Sequence, residues 1–327
     1  MRKSTPAYLT AGELGIRNNI AVLPCGGLDS LRPKLWSAEE LKPYANYMPA
    51  GTVLDSLFEG FVFQPVLSSA RRFFHPLYAG FRPPAVRKDW MEWFVCLFTE
   101  GVQLHALAEA SSHHPDVWIT LPFPHPEIRG FKVPGEAALN FARNRDRLEA
   151  LKWWIGECME AWNRHPALGQ KLRFRGFVWP RDTIGGGDLQ LAAMVNAHIR
   201  SLGLKSMWIC NYGSPGVDRW RRLGFDAAVL HSNYTGAGSY DVNWLRYASL
   251  FAKTVRAGLL LVKGKGGIYG PGHFDDYLRM GLPDNMDYMG DALKVFAFPN
   301  QTLAEWMREE PQTYDRLYRF LKGTYEG

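Results

Sequence analysis

The sequence predicts an α/β protein, most simply a (β/α)₈ barrel. Three observations carry that expectation. Eight short apolar runs recur along the chain, helical stretches with an apolar side lie between most of them, and no linker, charge block or repeat divides the 327 residues. Strands that are apolar on both faces belong to parallel sheets covered by helices, because a parallel neighbour is reached only through a long crossover. Eight such units close into a barrel, with an open doubly wound sheet as the alternative. The chain is read as one barrel domain, 1–327, with a long insert around 65–86 after the second strand.

The first strand is expected at 19–24. A helical segment follows at 35–48, where Ser37 and Glu40 have the spacing of a capping box. The second strand is 57–64. The insert after it, rich in Pro, Arg and Phe, exceeds an ordinary βα loop and should cover the barrel mouth. Residues 88–110 read as one amphipathic helix, with Trp90, Phe94, Leu97, Phe98, Leu104 and Leu107 on one side. The third strand is 117–122, leading into a loop stiffened by Pro124 and Pro126. A long helix, 141–165, follows. Strands four to eight are expected at 174–179, 206–211, 227–233, 258–263 and 293–298, with helices at 242–256, 274–280 and 303–321.

Composition narrows the function. Apolar residues make up 46% and charged ones 21%, as in a globular protein. The net charge of +6 is scattered, with no Lys or Arg run longer than two, so no nucleic-acid patch is expected. Twelve Trp and 14% aromatic residues suit a carbohydrate platform, although an aromatic-rich core is the commoner explanation. Cys25, Cys96, Cys158 and Cys210 lie far apart without C-x-x-C spacing and read as reduced thiols. No metal-ligand spacing or cofactor motif is visible. No secretory leader or membrane span is visible either, so the chain reads as cytoplasmic, or as secreted if a leader was removed.

The stretch 175–188 holds the sharpest chemical signal. Phe177, Val178 and Trp179 favour a strand, and Pro180 ends it because it cannot donate to a ladder. Asp188 reads as the N-cap of the following helix, which leaves Asp182 on the loop beyond the carboxyl end of the fourth strand. In barrels that edge carries the chemistry. A solvated loop aspartate is the bland reading.

Several segments together resemble a bacterial family known as domain of unknown function 4855. Gly176-Phe-Val-Trp-x-x-Asp182 is similar to its Gly-Phe-Tyr-Trp-x-x-Glu motif. Trp208-Ile-Cys-Asn-Tyr212 with Trp220 and Gly224-Phe-Asp226 fits its next segment, and Ser232-Asn-Tyr234 fits as well. Upstream, residues 57–63, Lys88-Asp-Trp90, Leu97-Phe98, Ala106-Leu107 and Leu121-Pro-Phe-Pro124 also match. The resemblance runs from about Asn19 to about Asn300. It implies a glycoside-hydrolase-like TIM barrel, with Asp182 where the family has Glu. At the seventh strand the family pattern Gly-x-Glu-x-Glu is replaced by Gly258-Leu-Leu-Leu-Val-Lys263, which carries no carboxylate. Glycoside cleavage normally uses two carboxyl groups, about 5 Å apart for retention and about 6.5–9.5 Å for inversion. One of the two is missing.

Glu127, beyond the third strand, is the candidate second acid. Its alternative is a solvated loop glutamate. His125 beside it is a candidate acid–base or loop residue. Glu59 is expected inside the second strand in a structural role, and Asp241 as a helix cap. Asp275 and Asp276 are expected to be exposed or capping. Where the family has acids, the loop 263–272 offers Lys263, Lys265 and several glycines, a composition that favours an anion when its N–H groups converge. Arg181 and Gly185-Gly-Gly187 add to that picture, against a plain solvated turn. Trp179 reads as a stacking wall or a buried barrel residue, and Asn211, Tyr212, Asn233 and Tyr234 as hydroxyl-binding groups.

Three functions follow. The first is an enzyme acting on a glycosidic linkage, its sugar neutral or acidic, with Asp182 as proton donor. The second is a non-catalytic carbohydrate- or anion-binding barrel. The third is a lyase with Lys263 forming a Schiff base. The expected partner is a carbohydrate or other small polar ligand, anionic ones included, rather than a nucleic acid or a membrane.

Overall fold

The computed structural model describes residues 7–26, 35–75, 82–135, 137–238 and 240–327. Eight strands form a closed, all-parallel barrel: β1 (Ile20–Cys25), β2 (Gly60–Pro65), β3 (Asp116–Thr120), β4 (Arg173–Trp179), β5 (Lys205–Asn211), β6 (Ala227–His231), β7 (Gly258–Val262) and β8 (Lys294–Ala297). Each pairs with its neighbour in sequence, and β8 closes the ring on β1 through Ile20 opposite Val295. The strands are buried almost throughout, which explains why they read as unbroken apolar runs.

The helices are α1 (Ala11–Leu14), α2 (Ala38–Ala45), α3 (Arg87–Phe98), α4 (Gln103–Ala110), α5 (Asn144–Arg164), α6 (Pro166–Lys171), α7 (Asp188–Ser201), α8 (Asn243–Val255), α9 (His273–Met280), α10 (Leu303–Glu309) and α11 (Pro311–Leu321). The Ser37–Glu40 capping box at α2 is formed. Two expected long helices are each divided. Between α3 and α4, Gly101 and Gln103 take positive φ, and Gln103 donates its N–H to Trp36. Between α10 and α11 stands Pro311, which cannot continue the hydrogen-bond ladder. The link from β5 to β6 carries only the short 3₁₀ turn Val217–Arg219.

The floor of the barrel is a charge cluster. Asp116, fully buried, faces Arg173 at 3.0 Å and accepts from Arg175 at 2.9 Å, and it also accepts the Arg17 N–H. The β3–β4 register slips beside Trp118, leaving Arg175 as the extra residue of a bulge. Gly176 next to it has φ 148°, and a Cβ there would collide with the Lys205 carbonyl of β5. The glycine of the family motif is therefore a packing requirement. Glu59 is not inside β2 but precedes it, 3.6 Å from Arg17 at the same lower end.

All four cysteines are free thiols, three buried and Cys96 partly so. Among the described residues no helix is long and apolar enough to cross a membrane.

Candidate active site

At the carboxyl ends of the strands a cavity of about 390 Å³ opens, within the range of about 300–1,000 Å³ common to small-molecule sites. Its walls are largely apolar: Val22, Val178, Trp179, Leu260, Val262 and Phe298. Polar groups enter from few places. Gln64 comes from β2, Asp182 from the loop after β4, Asn211 from β5, His231 from β6 and His75 from the insert after β2. The first part of that insert folds back on itself through the Leu67–Phe73 bridge and the Phe74 N–H to the Val66 carbonyl, and this brings His75 to the opening. Of the insert expected to cover the mouth, Val66 and His75 line the cavity, while 76–81 lie outside the described residues.

Asp182 is held by β5. The Asn211 amide donates to its Oδ2 at 2.7 Å, the Asn211 N–H donates to its carbonyl at 2.9 Å, and Trp208 Nε1 donates to the Arg181 carbonyl at 2.8 Å. Trp208 is itself immobilised, fully buried and stacked on Phe225 at 5.5 Å. A short loop that could wander is thereby pinned at three points to a barrel strand, so the carboxylate has a defined direction.

Asp188 does not cap α7, since Gly187 occupies that position. It is a buried first-turn carboxylate between two guanidinium groups, Arg147 at 2.7 Å and Arg181 at 2.8 Å. Arg147 also donates to the Pro124 carbonyl, and Arg181 lies over the Phe123 ring. Arg181 lines the cavity, but its charge is spent on bracing the loop that bears Asp182.

The two imidazoles are shifted by their surroundings. Burial pushes the His231 pKa from 6.5 down to about 4, and nearby Asp182 pulls weakly the other way. His75 is also lowered, chiefly by burial, with Asp182 opposing and Arg181 reinforcing. Both rings are therefore neutral near neutral pH. Two groups of the wall have no hydrogen-bond partner among the described residues, the Trp179 indole N–H and the Asn211 side-chain carbonyl.

Of the residues singled out by sequence, Trp179, Arg181, Asp182, Asn211 and Asn233 meet at this cavity. The others do not line it. Glu127 is exposed, its side chain 80% accessible, and approaches only His125 at 3.9 Å. His125 packs edge-on against Phe73 and Phe123. Tyr212 packs edge-on against Trp244 and Phe251. The Tyr234 hydroxyl donates to Asp276, which therefore neither caps nor floats free. Asp241 accepts from the Asn243 N–H at the entry to α8, one residue away from a true cap.

The basic loop is also different from its expected form. Lys263 Nζ sits 3.0 Å from Glu310 and over the Trp306 ring, and Lys265 sits 2.7 Å from Glu309. The glutamates come from the end of α10, far along the chain, so no local pattern could reveal that they neutralise these lysines. Two of its glycines serve packing: a Cβ on Gly264 would overlap the Tyr269 ring, which reaches the cavity wall, and one on Gly270 would meet the Gly236 carbonyl. Lys263 and Lys265 are thus each paired with a glutamate and do not line the cavity.

His231 and His75 went unread in the sequence. For His231 a signal existed, a polar residue ending the apolar run Ala227–Leu230, but the strand was expected to continue to Asn233. For His75, inside an insert without periodicity, there was none.

A solved structure from Bacteroides thetaiotaomicron VPI-5482, described as a candidate α-L-fucosidase, aligns over 98% of this chain and 97% of its own, at 13% identity and a TM-score of 0.49. A mutant tryptophan synthase α-subunit from Pyrococcus furiosus aligns over 94% of this chain and 98% of its own, at 11% identity and a TM-score of 0.42. A candidate lyase/mutase from Burkholderia cenocepacia J2315 covers 96% and 90%, at 15% identity and a TM-score of 0.39. These likenesses are distant and carry no argument about chemistry. No curated protein matches the chain. The family described as Domain of unknown function (DUF4855) matches residues 19–278, and this chain belongs to it.

Proposed function

We propose that the protein is a glycoside-hydrolase-like barrel that takes a carbohydrate at the mouth and acts on its glycosidic linkage, with Asp182 as proton donor. One observation carries the reading: a carboxylate pinned by Asn211 stands at the carboxyl end of β4, in a cavity whose walls are largely aromatic and aliphatic. Aromatic faces such as Trp179 and Tyr269 suit the apolar faces of a pyranose, and Asn211, Gln64 and the Trp179 N–H suit its hydroxyls. The ligand is a neutral sugar, because Lys263, Lys265 and Arg181 are each paired with a carboxylate of the protein.

A non-catalytic carbohydrate-binding barrel is the second reading. It is favoured by Asp182 being the single carboxylate among the described residues that line the cavity. One experiment separates the two. Wild type and Asp182→Asn are incubated with a panel of neutral and acidic oligosaccharides, with reducing ends and calorimetric binding both followed. Release of reducing ends by wild type and not by Asp182→Asn supports the enzyme. Binding without release supports the second reading, and neither binding nor release refutes both.

A further inference from the structure

We infer that His231 is the base of a single-displacement reaction, taking the proton of the attacking water while Asp182 protonates the leaving oxygen. This rests on the carbohydrate-cleaving reading above, and it supplies the partner that the missing carboxylate leaves open. His231 is the last residue of β6, and its Cα partner on β5 is Asn211, the residue whose amide holds Asp182. Neighbouring strands lie about 4.8 Å apart, so the ends of β4 and β6, on either side of β5, lie roughly two spacings apart. Both side chains line the same cavity, and the two groups of an inverting pair stand about 6.5–9.5 Å apart.

The surroundings of His231 agree. Its ring lines the cavity and makes no hydrogen bond to a described residue, so its nitrogens are available to a ligand or a water. Around it stand Asp182 and Arg181 from the loop after β4, His75 from the insert, the Asn211 amide on β5, and the Tyr269 phenol from the loop after β7. Leu260 is its apolar partner on β7. Of these, Arg181 is already paired with Asp188. Burial also lowers the imidazole to about 4, near the ordinary value of a carboxylate. A neutral base of carboxylate strength thus lines the same opening as Asp182.

The step balances. Water oxygen forms a bond to the anomeric carbon as the bond from that carbon to the leaving oxygen breaks. The water proton passes to His231, and the Asp182 proton passes to the leaving oxygen. The imidazolium then returns its proton to solvent and Asp182 regains one, with no net redox change.

The test uses the full chain with a panel of 2,4-dinitrophenyl glycosides of neutral sugars and the matching unactivated disaccharides. Proton NMR of the first product should show inverted anomeric configuration. Asp182→Asn should keep most activity on the activated glycosides, whose leaving group needs no acid, and lose at least about a hundredfold on the disaccharides. His231→Gln should lose at least about a hundredfold on both, with unfolding midpoint and calorimetric sugar affinity retained. His231→Glu should recover part of that loss, because it puts a carboxylate base at the same place. Retained configuration, or full activity of a folded His231→Gln, overturns the assignment while leaving the enzyme reading intact. A wild type that cleaves nothing overturns both.

Discussion

Replacing His231 by Gln should flatten the acid limb of the stability curve, and the size of the effect follows from the burial of one ring. In the unfolded chain this imidazole takes up a proton as pH falls through 6.5, whereas in the folded barrel it resists until about 4. Between those values the unfolded state holds the extra proton, so folding stability falls as the solution is acidified. Above about pH 7 neither state is protonated there and the contribution is flat. The separation corresponds to roughly 3 kcal/mol across the whole window. Urea unfolding followed by tryptophan fluorescence, at steps between about pH 7.5 and about pH 4, gives the free energy for wild type and His231→Gln. Glutamine cannot titrate, so the variant should lose roughly 3 kcal/mol less over that interval. His75, His113, His125 and His273, also lowered by burial, titrate in both proteins and cancel in the difference. Parallel curves for the two proteins would show that the ring is hydrated in the folded state and refute the reasoning.

Three further perturbations follow from the geometry. Asp188→Ala leaves the Arg147 guanidinium, 3% exposed, without its carboxylate and should cost about 3–5 kcal/mol in urea unfolding; an unchanged midpoint would mean that water replaces the carboxylate at once. Gly176→Ala drives a methyl group into the β5 backbone and should cost about 3 kcal/mol or more, read as a lower thermal midpoint or as loss of soluble protein. Lys265→Ala and Glu127→Ala should each leave sugar affinity and cleavage unaltered, since one side chain pairs with Glu309 at the surface and the other is exposed; a loss of affinity in either would place its side chain at the ligand.

What the amino-acid sequence determined by itself was the repeating architecture and one acid. Burial on both faces makes a parallel strand apolar throughout, so β1 to β8 are legible as local runs, and Pro180 marks where the fourth gives way to the loop bearing Asp182. The capping box at Ser37 and Glu40 is equally local, written within a single helical turn. The partners of the charges could not be read, because they come from remote segments: Glu309 and Glu310 reach Lys265 and Lys263 across more than forty residues, and Arg147 reaches Asp188 from another helix. A lysine beside glycines looks like an anion site until closure of the barrel brings α10 against it. Only the tertiary structure, likewise, put His75 and His231 beside Asp182. Strand order and register set which ends share a mouth, and that arrangement arises from closing the ring rather than from any residue's immediate neighbours.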